Sequence, residues 1–124
     1  MKKFLLFIGL FITVCSFISV SFDEVIKAIK SGDAAHVSAF FDNTVEITLP
    51  DKSNSYSKNQ AELVLRDFFA ANTVKDFEIL HKSGTSGSQY CIGNLKTSNG
   101  IFRTTIFMKQ KGDKELLQEL RFER

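Results

Sequence analysis

The chain has 124 residues, 44% of them hydrophobic and 24% charged, which is typical of one globular domain and excludes a disordered protein. Its formal net charge is +2, but without Lys2 and Lys3, near the amino terminus, fourteen basic residues balance fourteen acidic ones. A neutral chain without a basic run lacks the electrostatic footprint of nucleic-acid binding, so we expect no nucleic-acid partner.

Residues 1–21 have the pattern of a secretory signal peptide. Lys2 and Lys3 are followed by seventeen mostly apolar residues, and the small side chain of Ser21 closes the run. We therefore expect cleavage after Ser21 and an exported domain, periplasmic or extracellular, over residues 22–124. The alternative is an uncleaved anchor, because seventeen residues is the short limit for crossing a bilayer. Membrane contact is expected only through this segment.

Two short amphipathic helices are predicted next, joined at a Gly-Asp corner. Ser21 and Glu24 fit a capping box at the start of the first helix. Asp33 is the expected N-cap of the second helix, which closes with Phe40 and Phe41.

A strand is predicted over residues 44–50, TVEITLP, where apolar and polar residues alternate until Pro50. The residues expected on its buried face are Val45, Ile47 and Leu49. The polar segment 51–57 is predicted to be a loop.

The clearest helix of the chain follows this loop. Ser57 and Gln60 form a capping box at its start, and apolar residues recur at helical spacing behind them. The expected buried stripe consists of Ala61, Val64, Leu65, Phe68 and Phe69.

Four strand-like runs complete the chain, over residues 74–83, 88–97, 101–110 and 114–123. The Asn-Gly pair at 99–100 is a strong hairpin signal, and a two-residue loop there pairs Cys91 with Met108 and sets the small, apolar positions toward the helices. The predicted order is α-α-β-α-β-β-β-β, an α+β domain in which an antiparallel sheet wraps on three helices.

Two readings of the last strand remain open. A two-residue Gly-Asp turn before it would place Leu117, Glu119 and Arg121 on the helix-covered face. A longer loop or a bulge would instead place Leu116, Leu120 and Phe122 there. The apolar set is the expected one, because burying an ion pair costs desolvation free energy.

This element order, with SGD at the first corner and FFDNTVEITLP entering the first strand, resembles the nuclear-transport-factor-2-like cone fold. More narrowly, VEITL, YSKNQAELVLRDFF and YCIGNLKTSNGIFR resemble an exported bacterial family known as domain of unknown function 4783. The resemblance implies a curved sheet around three helices, and it supplies no activity.

The ketosteroid-isomerase-like enzymes of the same superfamily carry a general-base aspartate on the first strand and an oxyanion-stabilising tyrosine on the first helix. The resemblance places Ile47 and Val25 at these two positions. Neither side chain can move a proton, so this isomerase mechanism is not expected. Glu46 has the opposite strand parity and is expected to face solvent.

A thiol–imidazole pair is the sharpest alternative chemistry, because extending the predicted register sets His81 beside Cys91. A nucleophilic thiolate also needs a lowered pKa and an oxyanion site, and the sequence indicates neither. We expect Cys91 to be a buried, unreactive residue. No metal or cofactor is expected, because the histidines and cysteine lack the usual ligand spacing.

The function expected from these observations is non-catalytic binding by an exported domain, with Gly93 and Cys91 leaving space between helices and sheet for a small apolar ligand. The polar candidates for such a pocket are Tyr56, His81, Tyr90, Cys91, Arg103 and Arg121. Ile92, Phe107 and Lys109 lie on the opposite sheet face and are candidates for a homodimer interface. An enzyme with a relocated active site and a structural envelope protein are the alternatives.

Overall fold

A computed structural model describes residues 20–124, so the predicted signal peptide lies outside the described residues except for its last two positions. The helices are α1 (Val20–Lys30), α2 (Ala34–Ser38) and α3 (Lys58–Ala71). The strands are β1 (Phe41–Leu49), β2 (Lys52–Ser57), β3 (Val74–Gly84), β4 (Ser88–Thr97), β5 (Gly100–Lys111) and β6 (Lys114–Glu123).

The strands form one open sheet in the order β2-β1-β6-β5-β4-β3. The β1–β6 pair is parallel and every other pair is antiparallel. The helices pack on one face, which we call the inner face, and the opposite face is the outer face. The two-layer α+β class predicted from the sequence is confirmed.

Aromatic rings of α3 anchor the helices to the middle of the sheet. The ring of Phe68 stacks on Phe122 of β6 at 4.4 Å between centroids and meets Phe102 of β5 edge-on at 5.2 Å. The α3 prediction is confirmed at its start, where the Ser57 hydroxyl accepts a hydrogen bond from the Gln60 amide. Burial of these rings is the main apolar contribution that α3 makes to the fold.

The first two helices differ from prediction at their ends. Helix α1 already includes Val20, so Ser21 lies inside it and is not its N-cap. Asp33 does cap α2, but the helix ends at Ser38 and Phe41 is the first residue of β1. The cause is the sheet: the Leu117 amide donates to the Phe40 carbonyl, which draws this part of the chain into β1.

Residues 52–57, predicted to be a loop, form β2. This strand pairs antiparallel with β1, and the turn at Pro50 joins the two strands instead of ending the sheet. Because β2 is a polar edge strand and most of its residues are exposed, it carries no alternating apolar pattern to reveal it. Hydrogen bonding to β1 creates the strand, helped by a 2.8 Å contact between the hydroxyls of Thr48 and Ser53.

The β4–β5 hairpin turns one residue earlier than predicted. Thr97 pairs with Gly100, so Cys91 lies opposite Ile106 and not Met108. The Thr97 hydroxyl donates to the Gly100 carbonyl at 2.8 Å, and Gly100 takes a φ of 111° that favours glycine. Every partner shifts by two residues, which preserves strand parity, so the predicted inner face is correct.

Strand β6 combines both readings of the sequence. The Gly-Asp turn has two residues, which places Leu117 opposite Met108 on the inner face. A bulge then inserts Gln118 before Glu119 pairs with Phe107. The inserted residue reverses the parity, so the residues buried beyond it are Leu120 and Phe122, while Glu119 and Arg121 belong to the outer face.

Asp42 at the start of β1 holds this bulge in place. Its carboxylate accepts from Gln118 Nε2 at 3.0 Å and from Lys111 Nζ at 2.6 Å, and it is 11% exposed. The hydrogen bond from Lys111, followed by those from Gln118 and the Asn43 amide, lowers the pKa of Asp42 from 3.8 to about 2. The charged carboxylate therefore ties the first strand to the β5–β6 hairpin.

Asp42→Asn should lower the free energy of unfolding at pH 7 by about 1–2 kcal/mol. This value is smaller than the pKa shift alone implies, because solvent screens the exposed Lys111 side chain. Because the folded pKa is depressed, this contribution is complete above pH 4 and is lost as the pH falls toward 2. Urea unfolding of both proteins at pH 7 and pH 2 measures it. Asp51→Asn at an exposed turn is the control. Equal losses at both pH values would contradict an ionic origin.

Candidate functional site

The two positions that the resemblance aligns with the isomerase base and tyrosine lie in the apolar core. They hold Ile47 and Val25, which are 1% and 0% exposed. The buried hydroxyls of Ser38, Thr97 and Thr104 each donate to a backbone carbonyl within three residues. These hydroxyls therefore stabilise local backbone and do not point to a reaction.

The predicted pairing of His81 with Cys91 is wrong. A bulge at Leu80 shifts the register of β3, so that His81 pairs with Ile92 and Lys82 pairs with Cys91. The His81 ring is exposed and lies 5.7 Å from the Tyr90 ring on the outer face. Cys91 is fully buried, and burial raises the pKa of its thiol from 9.0 to about 11. The thiol therefore stays neutral at physiological pH and makes a poor nucleophile.

Gly93 does not leave the space that the sequence predicts. A Cβ atom at this position would lie 2.6 Å from the Phe77 ring and 2.6 Å from the carbonyl oxygen of Glu78. The absent side chain is needed because the Phe77 ring packs directly on the backbone of β4. The region beside Gly93 is thus filled by an aromatic ring.

The six pocket candidates separate into two groups. Tyr56 lies on the inner side, where it is half-buried against the core and its hydroxyl accepts from Asn54 at 3.4 Å, and Cys91 is also internal. The other four lie on the outer face, together with the three dimer-face candidates. That group comprises His81, Tyr90, Arg103, Arg121, Ile92, Phe107 and Lys109.

The outer face is organised in rows that run across the strands. In one row, Tyr90, Phe107, Glu119 and Glu46 are successive neighbours on β4, β5, β6 and β1. The next row contains His81, Ile92, Thr105, Arg121 and Thr48. The apolar side chains of the two rows adjoin each other on β4 and β5. We call Tyr90, Ile92 and Phe107 the apolar patch; all three are half-buried.

Two carboxylates adjoin this patch. Burial raises the pKa of Glu119, and the negative charge of Glu46 on the neighbouring strand raises it further. Arg121 opposes this shift from 3.9 Å, while its terminal nitrogen donates to Glu123 at 3.0 Å. The Nε atom of Arg121 is buried and has no hydrogen-bond partner within the described part of the chain. The β1–β6 half of the outer face is therefore rich in carboxylates.

Sequence reasoning missed the Glu46–Glu119 neighbourhood. The two residues are far apart in the chain and meet through the parallel β1–β6 pair, whose register depends on the Gln118 bulge. Local periodicity contains no signal for either feature. Only a predicted parallel pair between the first and the last strand would have placed Glu46 beside Glu119.

Residues 20–124 also lack two other kinds of feature. No group of three or more histidine, cysteine or acidic side chains in this region is arranged to hold a metal ion. No helix in the same region has the length and apolar character needed to span a bilayer.

Comparison with known proteins agrees with the architecture. The family model for domain of unknown function DUF4783 matches residues 22–123. A DUF4783 crystal structure from Bacteroides ovatus has a TM-score of 0.79 and 28% identity, covering 86% of this chain and 94% of its own. One from Bacteroides fragilis has a TM-score of 0.78 and 29% identity, covering 86% and 98%.

More distant structures share the fold alone. An NTF2-like protein of unknown function from Cytophaga hutchinsonii has a TM-score of 0.59 at 7% identity, covering 82% of this chain and 83% of its own. The NTF2-like architecture predicted from the sequence is confirmed. No match is found among curated proteins.

Gly93→Ala should lower the free energy of unfolding by about 2–3 kcal/mol, because the new methyl group would overlap the Phe77 ring and a backbone oxygen. Gly87→Ala is the matched control, since a Cβ atom there meets nothing within 4 Å, and a change within about 0.5 kcal/mol is expected. Urea unfolding measures both. A Gly93→Ala protein as stable as wild type would contradict the packing described here.

Cys91 should react with iodoacetamide at pH 7 at least about 100-fold more slowly than a free cysteine, because both its pKa and its burial oppose attack. Mass spectrometry of the Cys91 peptide follows the reaction, and the protein in urea provides the accessible control. Labelling as fast as a free thiol in the folded protein would revive a nucleophilic role.

Proposed function

We propose that this chain, which belongs to the DUF4783 family of domains of unknown function, is a non-catalytic exported domain. It binds a protein partner through its outer sheet face. The partner that we propose is another copy of the same chain, which would form a homodimer. The observation that carries the proposal is the apolar patch of Tyr90, Ile92 and Phe107, set among charged groups on the face opposite the helices.

The composition of the patch supports protein binding. Two aromatic rings and an isoleucine adjoin one another at the middle of the face, and aromatic side chains are enriched at protein interfaces. The helices pack on the inner face, so no helix among residues 20–124 covers this patch. A contiguous apolar area with a polar rim is the usual mark of an interaction surface.

The distribution of charge supports a second copy as the partner. The β1–β6 half carries Glu46, Glu119 and Glu123, whose negative charges outnumber the positive charge of Arg121 among them. The β5–β4 half carries Lys109, Arg103 and Lys96. A two-fold axis lying in the interface along the strands would place the acidic half of each copy against the basic half of the other, and such isologous contacts are the commonest among oligomers.

The non-catalytic part of the proposal is supported by the interior. The resemblance aligns Ile47 and Val25, both buried and apolar, with the reactive groups of the isomerase-like enzymes, and burial raises the pKa of the Cys91 thiol. Export is supported by the sequence pattern of residues 1–21. Four polar side chains singled out from the sequence, His81, Tyr90, Arg103 and Arg121, lie on the outer face, where they can contact a partner.

Phe107→Glu should lower the average mass of the protein in solution, because it adds a charge at the centre of the patch. Sedimentation velocity over a concentration series measures this, using protein made from the full chain and purified after export. Leu63→Glu, at a 56% exposed position of α3, is the control and should sediment like wild type. If Phe107→Glu has the mass of wild type at every concentration up to about 1 mM, the face does not bind a second copy.

A further inference from the structure

The two edges of the sheet differ in length and chemistry. Strand β2 is six residues long and is lined by serine, asparagine and lysine. Strand β3 is eleven residues long, and from Glu78 to its end every residue is exposed. Proteins normally blunt an open edge with short strands or charge, and β2 fits this rule. Strand β3 also carries charged residues and bulges, but it is longer and exposes two adjacent aliphatic side chains, Ile79 at 44% and Leu80 at 54%.

We propose that β3 is a second interaction surface, where two copies of the chain pair their β3 strands antiparallel about a two-fold axis between Ile79 and Leu80. The pairing would join two six-stranded sheets edge to edge. It rests on observations separate from the outer face and holds whether or not that face binds a partner.

The backbone of β3 is available for this pairing. Its only strand partner within residues 20–124 is β4, so one side of the strand has unpaired backbone groups. Such groups are a template for another strand, and added main-chain hydrogen bonds supply affinity in recognition by strand addition.

Helix α1 leaves the central part of the edge open. It contacts β3 through two ion pairs, Lys30 with Asp76 at 3.5 Å and Asp23 with Lys82 at 2.9 Å. The exposed aliphatic pair lies between these two attachments in the sequence of β3. Both ion pairs are solvent-exposed, and the portion of the edge between them, with Ile79 and Leu80, faces solvent.

The bulge at Leu80 selects the register. A two-fold axis perpendicular to the sheet keeps each residue on its own face, so residues that lie opposite each other must share a face. Before the bulge, Phe77 is inner and Glu78 is outer; after it, His81 is outer and Lys82 is inner. The parity reversal permits a register in which Ile79 lies opposite Leu80 of the second copy.

In this register, polar side chains face polar ones and apolar side chains face apolar ones at the centre of the contact. Glu78 lies opposite His81 of the second copy on the outer face, and the symmetry repeats this pair on the other side of the axis. The four aliphatic side chains meet at the centre. The Glu78 carboxylate can accept a hydrogen bond from the imidazole that faces it, and sliding the register by two residues would separate these two side chains.

The first test is Leu80→Glu, which places two like charges at the axis while altering a residue that is half exposed in the monomer. We expect the association constant of the edge contact to fall about tenfold or more in sedimentation velocity, with Leu63→Glu as control. Leu80→Glu and Leu63→Glu are also made in the Phe107→Glu protein. Loss of the contact through the outer face and loss of the contact through β3 are then measured separately.

The second test is a charge exchange. Glu78→Lys and His81→Glu should each weaken the edge contact, because each removes the facing carboxylate–imidazole pair, and the double variant should restore it, because a lysine then faces a glutamate. Unchanged sedimentation of Leu80→Glu in both backgrounds would overturn the proposal. A double variant as weak as the two single variants would overturn this register. A loss confined to Phe107→Glu would leave the outer face as the only contact.

Discussion

The contact on which the rest of the structure depends is the attachment of Asp42 to the β5–β6 hairpin. Through Lys111 and Gln118 it joins the start of the first strand to the last hairpin, and it holds the bulge that sets the parity of β6. Because of that bulge, Leu120 and Phe122 point to the helices, where Phe122 meets the ring of Phe68. The core and the outer face are therefore both determined by where one residue is inserted.

Much of this fold was predictable because its signals are local. The bounds of β4 and β6 and the Ser57 cap of α3 follow from alternation, turn residues and capping chemistry. Strand β2 was missed because a polar edge strand is created by its neighbour and not by its own residues. The bulges at Leu80 and Gln118 could not be located from the sequence, because the position of an inserted residue depends on packing across strands.

The bulges also explain where the chemistry lies. Without the one at Leu80, His81 would face Cys91 in the core, as the regular register predicts. Without the one at Gln118, Glu119 and Arg121 would enter the apolar layer beneath α3. Each of these bulges interrupts the regular hydrogen bonding between two strands. This loss of free energy is smaller than the cost of burying a polar or charged side chain. The result is an apolar interior and an outer face that holds nearly all the site candidates.

The outer face is not an arbitrary polar surface, because it keeps unfavourable features that a solvated sheet would not need. Glu46 and Glu119 are direct neighbours, a repulsive arrangement in adjacent strands. Arg121 carries a buried Nε without a hydrogen-bond partner in the described chain. Beside them lies the half-buried apolar patch of Tyr90, Ile92 and Phe107. A partner with cationic groups opposite the carboxylates would relieve this repulsion and would also cover the apolar patch. Partner binding therefore explains the unfavourable features of the outer face, which a reaction in the interior would not explain.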